Sequence, residues 1–78
     1  MLEPNKYTDY KTSVVSVAAA IIQVLQDRKN EKYSVVMRQV QNMIGEESKY
    51  EFQNSVNFLF LLGKIDYYCD KDVLALTV

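Results

Sequence analysis

The sequence has no histidine and no tryptophan, a single cysteine, a single proline and two glycines in 78 residues. Each shortage removes a class of chemistry. One cysteine, Cys69, excludes an internal disulfide, and without histidine the usual zinc ligand sets cannot be assembled. Cys69 also lacks the imidazole that would activate it as a nucleophile, so it reads as an ordinary hairpin residue. Gly45 and Gly63 stand far apart in the chain, each at the end of a helical pattern, so no glycine-rich phosphate loop exists. A basic excess is missing too. Nine Lys plus Arg face ten Asp plus Glu, with an isoelectric point near 5.2, whereas a free-standing nucleic-acid binder usually carries surplus cations to neutralise phosphates.

Long apolar runs are scarce as well. The longest, "VVSVAAAIIQVL" from Val14 to Leu25, would measure about 18 Å as a helix against the roughly 30 Å of a bilayer core, so it is expected to be a buried helix and not a membrane span. The opening "MLEPNKYTDYKTS" is polar, with no apolar stretch before a cleavage site, so no signal peptide is expected. A lone unpaired cysteine fits a reducing, cytoplasmic setting.

What is present is patterned. Thr12 and Ser13 are placed to cap a helix over Val14–Arg28, in which Val14, Val17, Ala18, Ile21, Ile22 and Leu25 recur at helical spacing. Ser16, Ala19, Ala20 and Gln23 lie opposite, and such small side chains allow packing on more than one side. "DRKNEKY", residues 27–33, reads as a polar loop. Ser34 then caps a second helix through Ile44, with Val36, Val40, Met43 and Ile44 as its stripe and Arg38, Gln41 and Asn42 facing away, and Gly45 ends it. Ser48 and Glu51 form the S-x-x-E pattern of a capping box, opening a third helix whose core stripe is Phe52, Val56, Leu59 and Phe60 and whose stop is Gly63. Beyond Gly63 the period changes from helical to alternating. Ile65 and Tyr67 oppose Asp66 and Tyr68, and after "CDKD" Leu74, Leu76 and Val78 alternate with Val73, Ala75 and Thr77, which describes a β-hairpin with a four-residue loop. The expected architecture is α+β: an N-terminal arm over residues 1–12, then a small winged-helix-like domain over residues 13–78, three helices followed by a C-terminal hairpin.

No residue cluster supports catalysis. Glu46 with Glu47 and Asp70 with Asp72 fall in turns, where solvated charge is the common explanation, so no catalytic, cofactor-binding or metal-binding residue is assigned and a non-enzymatic chain is expected. Two binding classes remain. A DNA-reading third helix should present polar or basic side chains outward, and Asn54 and Asn57 suit adenine edges, but Tyr50, Phe58 and Leu61 beside them are apolar and the only base is Lys49. Such a patch is costly in water, so either the arm (Leu2, Pro4, Tyr7, Tyr10) or another subunit covers it. Six tyrosines extend the point. Tyr67 and Tyr68 are adjacent on a strand, so one of them faces away from the core.

Two stretches, "MLEPNKYTDYKTSVVSVAAAIIQVL" and "FLFLLGKIDYYCDKDVLAL", resemble the small middle component of bacterial ABC-three-component systems, the group that includes the Lamassu anti-phage defence systems. The resemblance rests on a P-x-K arm, here Pro4 and Lys6, before an apolar helix, and on L-x-x-L-G-x-I, here Leu59, Leu62, Gly63 and Ile65, at the junction of the last helix and the hairpin. It implies a cofactor-free bridging subunit that joins an SMC- or Rad50-like ATPase to an effector, often a nuclease, and meets nucleic acid only through the complex. The acidic turn "CDKD" and the unbalanced Arg38 and Lys49 depart from the pattern, and they leave room for a small direct contribution to DNA binding. Candidate partner contacts are Leu2, Pro4, Lys6 and Tyr7 in the arm, Tyr50 and Leu61 on the third helix, and Tyr67 and Tyr68 on the hairpin. The competing reading is a small winged-helix transcriptional regulator that uses its third helix and hairpin on DNA.

Overall fold

The computed structural model describes residues 13–77, which form helix α1 (Val14–Arg28), strand β1 (Asn30–Lys32), helix α2 (Tyr33–Ile44), a 3-10 turn (Glu46–Ser48), helix α3 (Lys49–Leu61), and strands β2 (Ile65–Tyr68) and β3 (Val73–Leu76). The expected α+β domain of three helices and a C-terminal hairpin is what forms. The assignments to residues 1–12, including Thr12 as a cap, and to Val78 lie outside the described residues.

Ser13 starts α1. Its Oγ accepts the Ser16 N–H at 3.1 Å, and the helix runs to the expected Arg28. Val17, Ala18, Ala20, Ile21, Val24 and Leu25 are buried, so the apolar side is wider than a single stripe and takes in Ala20 from the small-residue face. This width lets α1 pack against α2, α3 and β3 together. The core closes around it with Val36 and Val40 from α2, Phe52, Val56 and Leu59 from α3, Ile65 from β2 and Leu74 from β3.

The segment read as a polar loop, residues 27–33, contains β1. It pairs antiparallel with β3 in the register Asn30↔Ala75, Glu31↔Leu74, Lys32↔Val73, giving a three-stranded sheet in the order β1-β3-β2. Its entry is a sharp turn at Lys29, where φ is 65° and ψ −48°, and the Lys29 carbonyl accepts the Leu76 amide at 3.0 Å. Three polar residues carry no alternation, so their pairing is set by the exposed edge of β3 and not by a pattern of their own. Arg28 bonds Glu31 at 3.0 Å beside this strand; the Lys32 amide and then the Arg28 guanidinium hold the Glu31 carboxyl below its usual range.

Four helix details differ from expectation. α2 begins at Tyr33, with Lys32 in the cap position and no side-chain cap, so Ser34 does not open it. Met43 is exposed, not part of the buried stripe. The Ser48–Glu51 capping box does not form: the chain enters α3 through the 3-10 turn, Ser48 is itself helical, and its buried Oγ donates back to the Gly45 carbonyl at 2.7 Å. Phe60 is 55% exposed, and Ser55 occupies the core face in its place. The Ser55 hydroxyl is shared between the Glu51 carbonyl at 2.8 Å and the Val14 carbonyl at 3.0 Å, which satisfies a buried polar group and fastens α3 to the start of α1.

Gly63 ends α3 as expected. With φ at 73°, its amide bonds the Phe60 carbonyl, and the Lys64 amide reaches the Leu59 carbonyl, the two bonds of a Schellman motif. The hairpin then has the expected loop, residues 69–72, and the register Ile65↔Leu76, Asp66↔Ala75, Tyr67↔Leu74, Tyr68↔Val73.

Candidate functional site

A cleft of about 510 Å³ opens between α3, the first residue of α2 and the hairpin. Helical geometry explains one wall. Gln53, Val56, Asn57 and Phe60 recur at i, i+3, i+4 and i+7, so one flank of α3 carries all four toward the sheet. Tyr33 forms the second wall. Its amide donates to the Asp72 carbonyl at 2.9 Å, its ring stands edge-on to Phe52 with centroids 4.9 Å apart, and its hydroxyl donates to Gln53 Oε1 at 2.6 Å. Gln53 Nε2 donates in turn to Asn57 Oδ1 at 3.0 Å.

The third wall is the hairpin. Tyr67 projects from the face of β2 that also carries buried Ile65, and its ring lies 6.3 Å from that of Tyr33. Its hydroxyl donates to Asp72 Oδ1 at 2.6 Å, and this bond, ahead of desolvation and the nearby charge, pushes the Tyr67 hydroxyl pKa up to about 12. Tyr33 is raised as well, first by burial and then by the Asp72 charge. Asp72 adopts φ 55°, a left-handed conformation that aspartate tolerates better than most residues. Among the described residues the cleft thus has three aromatic rings, two amides and one carboxylate, and no lysine or arginine lines it.

Among the described residues, the expected contacts Tyr50, Leu61, Tyr67 and Tyr68 do not make one continuous patch. Tyr50 is 73% exposed and Leu61 83% exposed on the outward ridge of α3, but eleven positions apart, about 16 Å along the axis. Lys49 places its ammonium 5.3 Å from the centre of the Tyr50 ring. Tyr67 belongs to the cleft. Tyr68, half exposed, lies on the opposite face of the sheet beside a shallow depression lined by Asn30, Asp70, Lys71 and Val73. Phe58 and Leu62, also exposed, occupy the shoulder of α3 on the other side of the ridge from Phe60. Leu2, Pro4, Lys6 and Tyr7 lie outside the described residues.

Sequence reasoning missed Tyr33, Gln53, Phe60 and Asp72 as groove residues. Tyr33 was read as loop, Phe60 as core and Asp72 as solvated charge. The usable signal was the Gln53/Asn57 pair, four apart on a helix flank that ends in an aromatic residue. The two asparagines suited to adenine are engaged: Asn54 donates to Glu51 Oε1 at 3.1 Å, and Asn57 accepts from Gln53. Among the described residues no group of three His, Cys, Asp or Glu side chains could hold a metal ion, and no helix is long and apolar enough to cross a membrane.

Fold and cleft together define a small α+β domain, three helices with a three-stranded antiparallel sheet, that carries an aromatic groove between its third helix and its hairpin. The family model for the ABC-three component (ABC-3C) system Middle Component 8 matches residues 29–77, well over half of the chain, and the chain belongs to that family. The matched span runs from the turn before β1 through β3. It takes in "FLFLLGKIDYYCDKDVLAL" but not the opening stretch with its P-x-K arm. By its family the chain is one component that works with the others of such a system. No curated protein and no solved structure gives a significant match.

Proposed function

We propose that this chain is a non-catalytic bridging subunit that holds an SMC- or Rad50-like ATPase and an effector, often a nuclease, together in a Lamassu-like anti-phage defence complex of the bacterial cytoplasm. Residues 13–78 serve as its folded domain and residues 1–12 as an arm. The observation that carries this reading is the exposure of Tyr50 and Leu61 on the ridge of α3, where a DNA-reading helix would present polar or basic side chains. Membership of a middle-component family supports it. The contacts are Leu2, Pro4, Lys6 and Tyr7 of the arm, Tyr50 and Leu61 of the ridge, and Tyr67 and Tyr68 of the hairpin.

The test is a double variant, Tyr50→Gln with Leu61→Gln. Both side chains are largely exposed, so the variant should fold by circular dichroism while losing co-purification with the ATPase or effector, since truncating interface anchors commonly costs about 1 to 4 kcal/mol of binding. Undiminished co-purification of a folded double variant places the interface elsewhere; the exposed Ala19 and Gln23 on α1 are then the next surface. Salt dependence separates the regulator alternative. Duplex DNA should bind the isolated chain weakly, and tight binding that falls steeply with added salt would make the regulator the better reading.

A further inference from the structure

The cleft between α3 and the hairpin has a composition that the assembly reading does not require. Tyr33, Phe60 and Tyr67 surround it with aromatic rings, Asp72 supplies the only charge among the described residues that line it, and Gln53 and Asn57 line its helix side. Aromatic faces and a carboxylate both attract cations, and an aromatic cage with one acid is how proteins commonly hold alkylated ammonium or guanidinium groups. The hydrogen-bond capacity left over has the same sense. The Tyr33 hydroxyl proton is used on Gln53 and the Tyr67 proton on Asp72, so both hydroxyls face the cleft with lone pairs. Asp72 accepts one described side-chain bond, through Oδ1, and its Oδ2 remains free to accept another. The donors the network leaves at the helix side are the Asn57 amide nitrogen and the second N–H of Gln53 Nε2, which suit a backbone carbonyl beside the bound side chain.

We propose that this cleft is a binding pocket for an arginine side chain presented by another component of the system. Its volume, about 510 Å³, takes a long side chain with part of its backbone. Arginine fits better than lysine because its planar guanidinium stacks on aromatic rings, is weakly hydrated, and directs paired N–H donors at a carboxylate. Asp72 is fixed for this purpose from two sides, its carbonyl held by the Tyr33 amide at 2.9 Å and its carboxylate by the Tyr67 hydroxyl at 2.6 Å. A tyrosine hydroxyl is protonated throughout the neutral range, so the donor bond from Tyr67 to Asp72 stays made there. The source of the arginine rests on the assembly reading; the pocket itself does not.

The experiment titrates the full 78-residue chain with N-acetyl-arginine amide, and separately with its uncharged isostere N-acetyl-citrulline amide and with N-acetyl-lysine amide, following backbone amide shifts by NMR. The arginine compound should give saturable shifts centred on Tyr33, Asn57, Phe60 and Tyr67, with citrulline at least about tenfold weaker, the usual worth of a hydrogen bond to a charged group. Asp72→Asn should reduce arginine binding by a similar factor while leaving citrulline binding unchanged. Asparagine tolerates the same left-handed backbone, and the spectrum itself reports whether the fold survives. Phe60→Ala, at an exposed position, should weaken arginine binding without unfolding. Equal binding of arginine and citrulline, tighter binding of lysine, shifts located elsewhere, or no shift at all would each overturn the proposal. No partner enters this assay, so a working pocket beside undiminished co-purification of the Tyr50/Leu61 variant would sink the assembly interface alone.

Discussion

Phe52 and Phe60 stand eight positions apart on one helix, and both read as core from the sequence; truncating each to alanine tests which face of α3 is buried. Phe52 is 0% exposed and packs edge-on against Tyr33, so Phe52→Ala loses a whole buried ring and leaves a cavity, a cost of about 3 to 5 kcal/mol. A 78-residue domain has roughly 4 to 12 kcal/mol of stability in all, so this one change removes about a quarter of it or more. Phe60 keeps over half its surface in water. Full burial of such a ring contributes about 1.5 to 3 kcal/mol, so Phe60→Ala should cost only about 1 kcal/mol. Urea unfolding followed by far-ultraviolet circular dichroism reads the difference. With a slope near 1 kcal/mol per molar, expected for a small domain, the midpoint should drop by about 3 M or more for Phe52→Ala and by about 1 M for Phe60→Ala. Should Phe52→Ala fail to fold, Phe52→Leu, at about 1 to 2 kcal/mol, keeps the comparison measurable. Equal midpoint shifts, or a larger one for Phe60, would refute this orientation of α3 and with it the cleft.

Two further outcomes follow from local geometry. Because the folded chain raises the Tyr67 hydroxyl from about 10 to about 12, it holds that proton more tightly than the unfolded chain does; the contribution to stability is complete below about pH 10 and is lost as pH climbs toward 12. Tyrosinate absorbance, with Tyr67→Phe as the difference reference, should show one late-titrating group that Asp72→Asn returns toward 10, and a Tyr67 that titrates with the exposed tyrosines in both proteins would contradict the bond. The two glycines should respond unequally to alanine: Gly45, at φ 112° and ψ 156°, occupies a region nearly exclusive to glycine, so its change costs about 2 to 3 kcal/mol, whereas left-handed Gly63 costs about 1 kcal/mol. Neither added Cβ would meet a neighbour, so melting curves in the reverse order would mean that backbone strain is not the controlling term.

The hairpin was legible because two independent signals agree there: the period changes after Gly63, and a charged tetrapeptide separates two alternating runs. α1 was legible because Ser13 and a long apolar period mark its limits. Strand β1 was not. Asn30, Glu31 and Lys32 are polar on both faces, and their conformation comes from the left-handed turn at Lys29, a residue type that does not announce one, and from pairing with β3 far along the chain. Ser48 misled in a different way, since a capping side chain works only where the chain enters the helix extended, and here it arrives already helical from the 3-10 turn. Phe60 was assigned by size. Ser55 holds the core position because its hydroxyl has two carbonyls to share, one of them on α1, a contact 41 residues away that no local pattern encodes. The cleft was lost with these two errors, since Tyr33 sits at the end of the unread strand and Phe60 in the misread stripe.

Three helices followed by a hairpin is also the element order of winged-helix domains that bind DNA, so the side chains decide what this domain can hold. Phosphate contacts need cations on α3 and the hairpin, and here Lys49, Lys64 and Lys71 are set against Glu51, Asp66, Asp70 and Asp72. Of the three bases, Lys49 stands over the Tyr50 ring and Lys71 lies between the two aspartates of the turn. With three lysines against four acids, these elements lack the surplus of cations that holds a phosphate backbone, and exposed Tyr50, Leu61, Phe60 and Tyr67 supply no charge to make up for it. For a protein surface the balance reverses. Aromatic rings give contact area at low entropic cost, the one cleft carboxylate favours a basic side chain, and the turn acids discourage anionic competitors, nucleic acid among them.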